Sequence, residues 1–402
     1  MNGIPPPDPG TAGTRHVLAL NSGSSSLKFG LYRVGPCGID QVVAGEAEMI
    51  GDAAAFIHAE NALGHAPLRE TLRMDNQRAV VIRIGRLLSE LEAPLPDAVG
   101  HRVVHGGPKL REHCVIDEAV LQRLEASAAF APLHTPAALA LIRFAAENFP
   151  GLPQVACLDT CFHARMPSVA STLPLPGELR SAGIQRYGFH GLSCESIVRQ
   201  LSGALPARLI IAHLGNGASI TAVKQGSSID TSMGMTPTGG LIMGTRSGDL
   251  DPGVLVHVMR EMKLDAAALE ELVDHRSGLL GLSGLSGDMR VLHQAAPSNG
   301  DARLAIEMFA YVAAKELGAM STVLGGVDMI VFTGGIGEHD AAVRADICAR
   351  LSCLGVELDA ERNRRGDGSI SRESSRCKVH VLPSQEDEQI ARHTWALCGL
   401  HA

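Results

Sequence analysis

Two stretches of small polar residues have the composition of phosphate-binding turns. The first is Asn21–Lys28 (NSGSSSLK) and the second is His213–Ser219 (HLGNGAS). Each lies between an apolar run and an alternating run, which predicts a β-hairpin with the small residues at its tip. Small residues allow consecutive backbone N–H groups to close around an anion. One such turn is weak evidence of function, but two in one chain indicate a duplicated scaffold that holds a phosphate ligand between its halves.

Two arginines are candidates for binding such a ligand. Arg102 lies inside an apolar strand pattern, and a buried arginine must either form an ion pair or face a cleft. Arg246 lies in a glycine-flanked turn before a predicted helix that Asp251 is expected to cap. A purely structural ion pair is an alternative for Arg102, whereas Arg246 has no comparable structural role.

A histidine and two groups of acids form the rest of the candidate chemistry. His190 lies beside glycines, where a solvated loop histidine is the alternative. Asp159 ends a predicted strand, so it either orients a ligand or caps the next turn. The acids of Glu386–Glu388 are either the first turn of a helix, which the helix dipole favours, or ligands of Mg²⁺.

Four other histidines raise the possibility of a zinc site. They are His101, His105, His134 and His163, and the first two are expected on one face of a strand. Their spacings match no zinc signature. Zinc is therefore a minor alternative.

The candidate groups together fit phosphoryl transfer. The turns would bind a nucleotide, an asparagine and a carboxylate would hold Mg²⁺, and the arginines and His190 would supply positive donors. No activated serine or cysteine nucleophile is evident in the sequence. Phosphoryl transfer depends on positioning and charge stabilisation more than on covalent catalysis.

Composition excludes several other classes of function. The 402 residues favour two domains, and 45% hydrophobic residues can fill a core. A net charge of −8 and 3% aromatic residues argue against nucleic-acid binding. Nine cysteines without a CxxC pair indicate reduced thiols and a cytoplasmic protein. Residues 1–15 read as a loose extension without a signal peptide, and no apolar run approaches the roughly 18 residues of a membrane span.

The elements that must position these residues occur twice in the same order. Each half has a hairpin and, after it, a strand that ends in glycines, which predicts two similar α/β domains around a cleft. The predicted helices are Glu118–Phe130, Ala137–Asn148, Pro252–Met262, Ala266–Asp274, Ala302–Leu324 and a C-terminal helix ending near Leu397. The later predicted strands are Val99–Gly107, Gln154–Asp159, Gly226–Asp230, the strand and glycines of Asp328–Glu338, and Lys378–Leu382.

Seven motifs in order along the chain resemble those of the acetate kinase family. They are Asn21–Phe29, His101–Gly107, Ala131–His134, Arg186–Gly191, His213–Gly217, Met243–Pro252 and Gly335–Glu338. The resemblance implies the duplicated, two-domain actin-like ATPase fold, with ribonuclease H-like domains and a nucleotide cleft between them. It implies an N-terminal domain of residues 16–160 plus 386–402 and a nucleotide-binding domain of residues 161–385.

The resemblance also implies a reaction: reversible transfer of the ATP γ-phosphoryl group to acetate, giving acetyl phosphate and ADP, with Mg²⁺ or alternatively Mn²⁺, in a homodimer. By the same resemblance, Asn21 and Glu386 are metal ligands, and Arg102, Arg246, His190 and Asp159 are catalytic. The expected acetate site is Arg102, Val104, Leu133, Phe189 and Pro237. The expected nucleotide site is Lys28, His213, Leu214, Gly215, Asn216, Gly217, Asp288, Met289, Arg290, Gly335, Ile336, Gly337, Glu338 and His339.

Physical reasoning modifies one of these roles. A carboxylic acid acceptor is ionised at neutral pH, so no general base is needed to create the nucleophile. We therefore expect Asp159 to orient Arg102 or Arg246 rather than to move a proton.

Four places in the chain depart from the usual family pattern, and none of these departures removes a residue with an assigned chemical role. They are Ser193–Cys194, Thr238–Gly239, His339 and Ser384–Gln385. His339 leaves the nucleotide preference open, and the metal-ligand assignment could shift from Glu386 to Asp387. Propionate or butyrate kinase is an alternative activity, since one methylene changes binding by only about 1–3 kcal/mol. A nucleotide-gated chaperone or filament protein is the alternative outside enzymes.

Overall fold

The computed structural model describes residues 13–23, 26–52, 55–131 and 135–399. The strands are β1 (Arg15–Ser22), β2 (Leu27–Gly35), β3 (Gly38–Glu48), β4 (Phe56–Asn61), β5 (Leu68–Thr71), β6 (Ala98–Val103), β7 (Cys114–Val115), β8 (Gln154–Leu158), β9 (Arg208–Leu214), β10 (Ala218–Lys224), β11 (Ser227–Thr231), β12 (Met329–Thr333), β13 (Gly368–Ser369) and β14 (Lys378–Val381). The helices are α1 (Gln77–Glu90), α2 (Glu118–Ala126), α3 (Thr135–Asn148), α4 (Ser168–Ser171), α5 (Gly177–Ser181), α6 (Gly191–Gln200), α7 (Pro252–Glu261), α8 (Ala266–His275), α9 (Gly278–Ser283), α10 (Met289–Ala295), α11 (Gly300–Leu324), α12 (Gly334–His339), α13 (Ala341–Ala349), α14 (Ala360–Arg365) and α15 (Glu386–Leu397). Short 3₁₀ turns lie at Ser127–Phe130, Cys161–His163 and Ser352–Leu354.

The chain forms two structural units. Unit 1 contains the described residues up to Cys161 and those from Gln385 onward, and unit 2 contains residues 162–384. The sheet of unit 1 has the strand order β5-β4-β3-β2-β1-β6-β8-β7. Strands β1, β2 and β3 are antiparallel neighbours, while β6 is parallel to both β1 and β8.

Unit 2 has the same central topology. Its strand order is β11-β10-β9-β12-β14-β13. Strands β9, β10 and β11 are antiparallel, while β12 is parallel to both β9 and β14. The five central strands therefore have equivalent pairing in the two units, and the predicted duplicated α/β fold is confirmed.

Both predicted hairpins are present. Asn21 pairs with Lys28 across β1 and β2, and Ala218 pairs with Leu214 across β9 and β10. The apolar residues of β1 from Val17 to Leu20 are fully buried, which explains why a continuous apolar run forms this central strand. The turn residues Ser24 and Ser25 lie outside the described residues.

Helix α15 belongs to unit 1 although it comes from the end of the chain. It packs on β1, β2 and β6, and Gly100 of β6 lies under it. A Cβ atom at Gly100 would overlap Thr394 Oγ1 and lie 2.6 Å from Ile390 Cγ2. The glycine therefore allows α15 to approach the sheet closely, which brings the N-terminal end of the helix to the end of β1.

Three predicted elements differ in detail. The predicted helix Glu118–Phe130 becomes α2 followed by a 3₁₀ turn. The glycines after β12 begin the short helix α12 instead of forming only a turn. Strand β6 ends at Val103, so the prediction that His101 and His105 share one face of a strand is wrong. No helix among the described residues is both long and apolar enough to span a membrane.

Candidate active site

Asn21 is the centre of the polar cluster in unit 1. It lies near the end of β1 and is 6% exposed. Its Nδ2 donates to Glu386 Oε2 at 3.1 Å and to Asp387 Oδ1 at 2.8 Å, while its Oδ1 accepts from Arg102 Nη1 at 3.2 Å. Residues from β1, β6 and α15 thus meet at one end of the sheet of unit 1.

Arg102 is held by the acid at the end of the neighbouring strand. Its Nε and Nη2 donate to Asp159 Oδ2 at 2.9 and 2.6 Å. Asp159 is fully buried, and its backbone N–H donates to the Val103 carbonyl, which continues the pairing of β6 and β8. Burial opposes the charge of Arg102, but Asp159, Glu386 and Asp387 outweigh it and raise the pKa of the guanidinium. Arg102 is therefore a permanent cation of fixed orientation.

The carboxylates of α15 fit a divalent cation. Burial, together with the neighbouring Glu386, raises the pKa of Asp387 to about 6, although the hydrogen bond from Asn21 opposes this change. Neighbouring carboxylates repel each other, and a cation between them relieves that repulsion. Carboxylate oxygens are also the ligands that Mg²⁺ prefers. Lys28, which is exposed and pairs with Asn21 across β1 and β2, adds a second cation at this end of the sheet.

Two stacked histidines lie at the corresponding end of unit 2. The rings of His190 and His213 are 4.1 Å apart and inclined by 26°. His190 Nδ1 lies 3.0 Å from Ser219 Oγ, and His213 Nδ1 lies 2.8 Å from Ser193 Oγ. Ser193 Oγ in turn lies 3.1 Å from Ser384 Oγ. A hydroxyl group thus contacts Nδ1 of each ring and helps to orient it.

Arg246 and His190 approach each other beside Gly217. A Cβ atom at Gly217 would lie 3.2 Å from His190 Nε2 and 3.5 Å from Arg246 Nη1. The absence of a side chain at Gly217 leaves room beside both side chains. Arg246 Nη1 is directed by the Pro237 carbonyl, which accepts from it at 3.4 Å. Unit 2 therefore places an arginine and a histidine at one glycine of the second predicted phosphate-binding turn.

The segments predicted to bind the nucleotide converge on the same turn. The Gly244 N–H donates to the Asn216 carbonyl at 3.0 Å, and Gly287 packs against Gly244. At the start of α12, a Cβ atom on Gly334 would lie 3.1 Å from His213 Nε2. Glu338 Oε1 accepts from the backbone N–H of Gly334 and of Ser384, each at 2.9 Å. These contacts bring the ends of β9, α10 and α12 together.

The other predicted residues take varied positions. Asp288 caps α10 and pairs with exposed Arg290 at 2.7 Å, while Met289 is buried. Ile336, Gly337 and His339 lie in α12, and Gly335 precedes them in the same helix. Val104 follows β6 in unit 1, whereas Phe189 and Pro237 belong to unit 2. Leu133 lies outside the described residues, as does His134.

Sequence reasoning missed the hydroxyl groups that orient the histidines. Ser193, Ser219 and Ser384 are not among the predicted site residues, although Ser193 and Ser384 depart from the family pattern. Single serines carry no distinctive spacing, so only the fold shows that they contact the rings. Asp387 is the predicted alternative to Glu386 as a metal ligand, and both acids accept a hydrogen bond from Asn21.

The two mixed sheets share the pairing of five strands, and each has a polar cluster at the ends of its strands. This arrangement places the protein in the class of actin-like ATPase folds. Similarity to known proteins identifies the family within this class. The model of the acetokinase family matches residues 16–392. The chain is 42% identical over 400 residues to a protein named acetate kinase from Methylocella silvestris, covering 96% of this chain and 98% of that one. The chain belongs to the acetokinase family.

Solved structures of the family are similar along almost the whole chain. A propionate kinase from Francisella tularensis matches with a TM-score of 0.89 and 37% identity, covering 95% of this chain and 100% of that one. The acetate kinase of Porphyromonas gingivalis matches with a TM-score of 0.84 and 37% identity, covering 96% and 100%. At this identity and coverage the likeness extends to the family, not only to the fold.

Proposed function

We propose that this chain is an acetate kinase, which transfers the γ-phosphoryl group of ATP reversibly to acetate, with Mg²⁺ or alternatively Mn²⁺. The observation that carries the proposal is the Arg102 guanidinium, held by Asp159 and Asn21 beside two carboxylates in a member of the acetokinase family. The Arg102 guanidinium and a metal ion held by Glu386 and Asp387 would both offset the repulsion between the two anionic reactants, acetate and ATP.

The acceptor needs charge compensation rather than deprotonation. Acetate is already ionised at pH 7, so its approach to the γ-phosphate is opposed by repulsion. Arg102 binds the acceptor carboxylate, and Asp159 keeps Arg102 in place without taking up a proton. For the acetate methyl group we propose the apolar residues that the family resemblance implies, which are Val104, Leu133, Phe189 and Pro237.

The transferred group is stabilised by the donors of unit 2. Arg246 and His190 Nε2 donate to the oxygens of the phosphoryl group beside Gly217, while Lys28 contacts the nucleotide phosphates. The segments 213–217, 288–290 and 335–339 hold the nucleotide. Glu386 and Asp387, with Asn21, hold the metal ion, which when bound neutralises charge on the phosphates. Catalysis then comes from positioning and electrostatics.

A hydroxamate assay tests the proposal directly. The protein is incubated with ATP, Mg²⁺, hydroxylamine and acetate, propionate or butyrate in turn, and the acyl hydroxamate is measured. We expect kcat/KM to be highest with acetate. Failure to form any acyl phosphate, together with tight ATP binding, would instead support a nucleotide-gated protein that is not an enzyme.

Propionate kinase is the second candidate activity. The observation that favours it is the TM-score of 0.89 with the Francisella tularensis propionate kinase, higher than the 0.84 with the Porphyromonas gingivalis acetate kinase. One additional methylene in an apolar site changes binding by about 1–3 kcal/mol. A kcat/KM for propionate above that for acetate would select this alternative.

We also propose that the protein acts as a homodimer. Helix α7 has no buried residue, and Val254, Val256 and Met259 are 45%, 46% and 37% exposed. Met262 directly after it is 64% exposed. Adjacent exposed apolar side chains of this kind are typical of protein–protein contacts.

A further inference from the structure

His163 is a buried histidine that the proposed reaction does not use directly. It lies in the 3₁₀ turn Cys161–His163 and is 1% exposed. Its Nδ1 lies 2.8 Å from Ser228 Oγ on β11, and its Nε2 lies 2.9 Å from the carbonyl oxygen of Phe189. Among the described residues, no group of three potential metal ligands includes His163. Each ring nitrogen of His163 thus has a hydrogen-bond partner.

The two partners determine the tautomer of His163. A carbonyl oxygen can only accept a hydrogen bond, so Nε2 carries the proton and donates to Phe189. Nδ1 then accepts from the hydroxyl group of Ser228. Burial lowers the pKa of His163 to about 4, although the bond to Phe189 opposes this change. The ring is accordingly neutral at pH 7, which is the state that this arrangement requires.

The bond to Phe189 fixes the backbone that leads into His190. The Phe189 carbonyl and the His190 N–H belong to one planar peptide group. His190 has a φ of 57°, a left-handed conformation that is uncommon for a residue with a side chain. Holding the carbonyl therefore limits how far the peptide group can rotate, and keeps the His190 ring in its place on His213.

The backbone on the other side of Phe189 is packed against the same ring. Gly188 has a φ of 75°, and a Cβ atom there would lie 2.8 Å from His163 Cγ and Cδ2 and 2.5 Å from Thr231 Cγ2. The segment 188–190 thus contacts the His163 ring both by packing and by hydrogen bonding.

We infer that His163 is a positioning residue for His190: its neutral imidazole holds the Phe189–His190 peptide group so that His190 Nε2 stays beside Gly217 and Arg246. The inference rests on the proposed function, because it assigns His163 a part in that reaction through His190. His163 itself has no contact with the reacting groups in this scheme.

Two substitutions separate the hydrogen bond from the bulk of the ring. His163→Leu removes the donor to Phe189, and we expect kcat to fall by about 10²-fold with little change in the KM for ATP, since misplacement of a catalytic group by about 1 Å can have this effect. His163→Gln restores an N–H donor at a similar distance and should recover most of kcat. Phe309→Leu, a buried change in α11 of the same unit, controls for destabilisation.

A double-mutant cycle tests whether His163 acts through His190. In a His190→Ala background, adding His163→Leu should reduce kcat by less than about threefold, because the group that it positions is already missing. If His163→Leu lowers kcat by the same factor in the His190→Ala background as in the wild type, the inference is overturned. A kcat of His163→Gln no higher than that of His163→Leu would also overturn it. If His163→Leu does not fold, Ser228→Ala replaces it, with a smaller expected loss of about fivefold for one hydrogen bond.

A spectroscopic measurement keeps this inference separate from the proposed function. Histidine side-chain NMR spectra of ¹⁵N-labelled protein, with the His190 signals assigned from His190→Ala, should show those signals shifted in His163→Leu and close to wild type in His163→Gln. A wild-type protein that forms no acyl phosphate would contradict the proposed function alone. Unchanged His190 signals in His163→Leu would contradict the inference even in an active kinase.

Discussion

The Arg102–Asp159 pair shows how a single residue acquires its role from its neighbours. Asp159 is fully buried, and two nitrogens of Arg102 donate hydrogen bonds to its Oδ2. Nη1 of Arg102 is bonded to Asn21. The guanidinium is therefore fixed in orientation, and a fixed cation stabilises a developing charge without reorganisation during the reaction.

Removal of either arginine should nearly abolish the activity. Arg102→Ala and Arg246→Ala each remove a cation that opposes repulsion between the acid and the γ-phosphate. We expect kcat/KM to fall by about 10³- to 10⁵-fold in each variant, as for arginines in comparable phosphoryl transfers. Steady-state kinetics at saturating Mg²⁺ measure kcat/KM. Arg290→Ala, which removes an exposed arginine of α10, serves for comparison and should lower kcat/KM less than either variant. Losses under about tenfold in both Arg102→Ala and Arg246→Ala would contradict the assigned roles.

Asp159→Asn separates orientation from proton transfer. Asparagine has the same shape but no charge, so it holds Arg102 less firmly, and we expect kcat/KM for acetate to fall by about 10²-fold. Because no proton moves through Asp159, the shape of the pH–rate profile should stay the same. The loss of one limb of that profile would show that Asp159 takes part in proton transfer. Turnover and acetate affinity both near wild type would show that the residue is dispensable.

At the scale of elements, the contact between β6 and α15 determines where the metal ligands lie. Gly100 has room for no side chain beneath Thr394 and Ile390, and α15 begins at Glu386. Gly100→Ala should push α15 away from the sheet and move Glu386 relative to Asn21. We expect a raised Mg²⁺ concentration for half-maximal activity, by about tenfold, and a lower Tm. Gly38→Ala in β3, where a Cβ atom meets nothing within 4 Å, is the matched control and should change neither quantity.

The elements also show what the sequence could and could not predict. The two hairpins and α15 were predictable, because each combines a strong hydrophobic pattern with a local signal, either small turn residues or an acidic first turn. Helix α12 could not be predicted, because its glycines favour a turn. Its six residues are stabilised by packing against β9 and β12. The cluster of Asn21, Arg102, Asp159 and Glu386 could not be derived from spacing, because these residues meet only through the order of strands in the sheet.

At the scale of the whole molecule, buried histidines couple folding to pH. Burial lowers the pKa of His101 in unit 1 and of His163 in unit 2 to about 4. Near pH 7 and above, neither the folded nor the unfolded state is protonated at these sites. As the pH falls below about 6.5, the unfolded state binds protons that the folded state does not, so the free energy of unfolding falls. The effect is roughly 3 kcal/mol per histidine by pH 4.

Denaturant unfolding between pH 7.5 and 4.5 measures this dependence. We expect the midpoint to fall steadily below pH 6.5. His163→Gln removes one titrating group and should reduce the slope. Asp387 acts in the opposite direction in unit 1, because burial and Glu386 raise its pKa to about 6 and the folded state then binds a proton first. A midpoint independent of pH over this range, or a slope unchanged by His163→Gln, would contradict the assigned neutral state.

The exposed apolar face of α7 is the proposed contact between the two subunits of the dimer. Val254 lies in the first turn of the helix, after the capping Asp251 and Pro252. A glutamate in the first turn is favoured by the helix dipole, so Val254→Glu should leave α7 folded while placing a charge on its apolar surface. We expect light scattering to give a dimer mass for the wild type and a monomer mass for Val254→Glu, because burying an unpaired charge opposes association. Glu261→Lys at the other end of α7 also changes the charge of the helix but leaves its apolar residues unaltered, and it should remain dimeric. A Val254→Glu protein that is still dimeric would place the contact between subunits elsewhere.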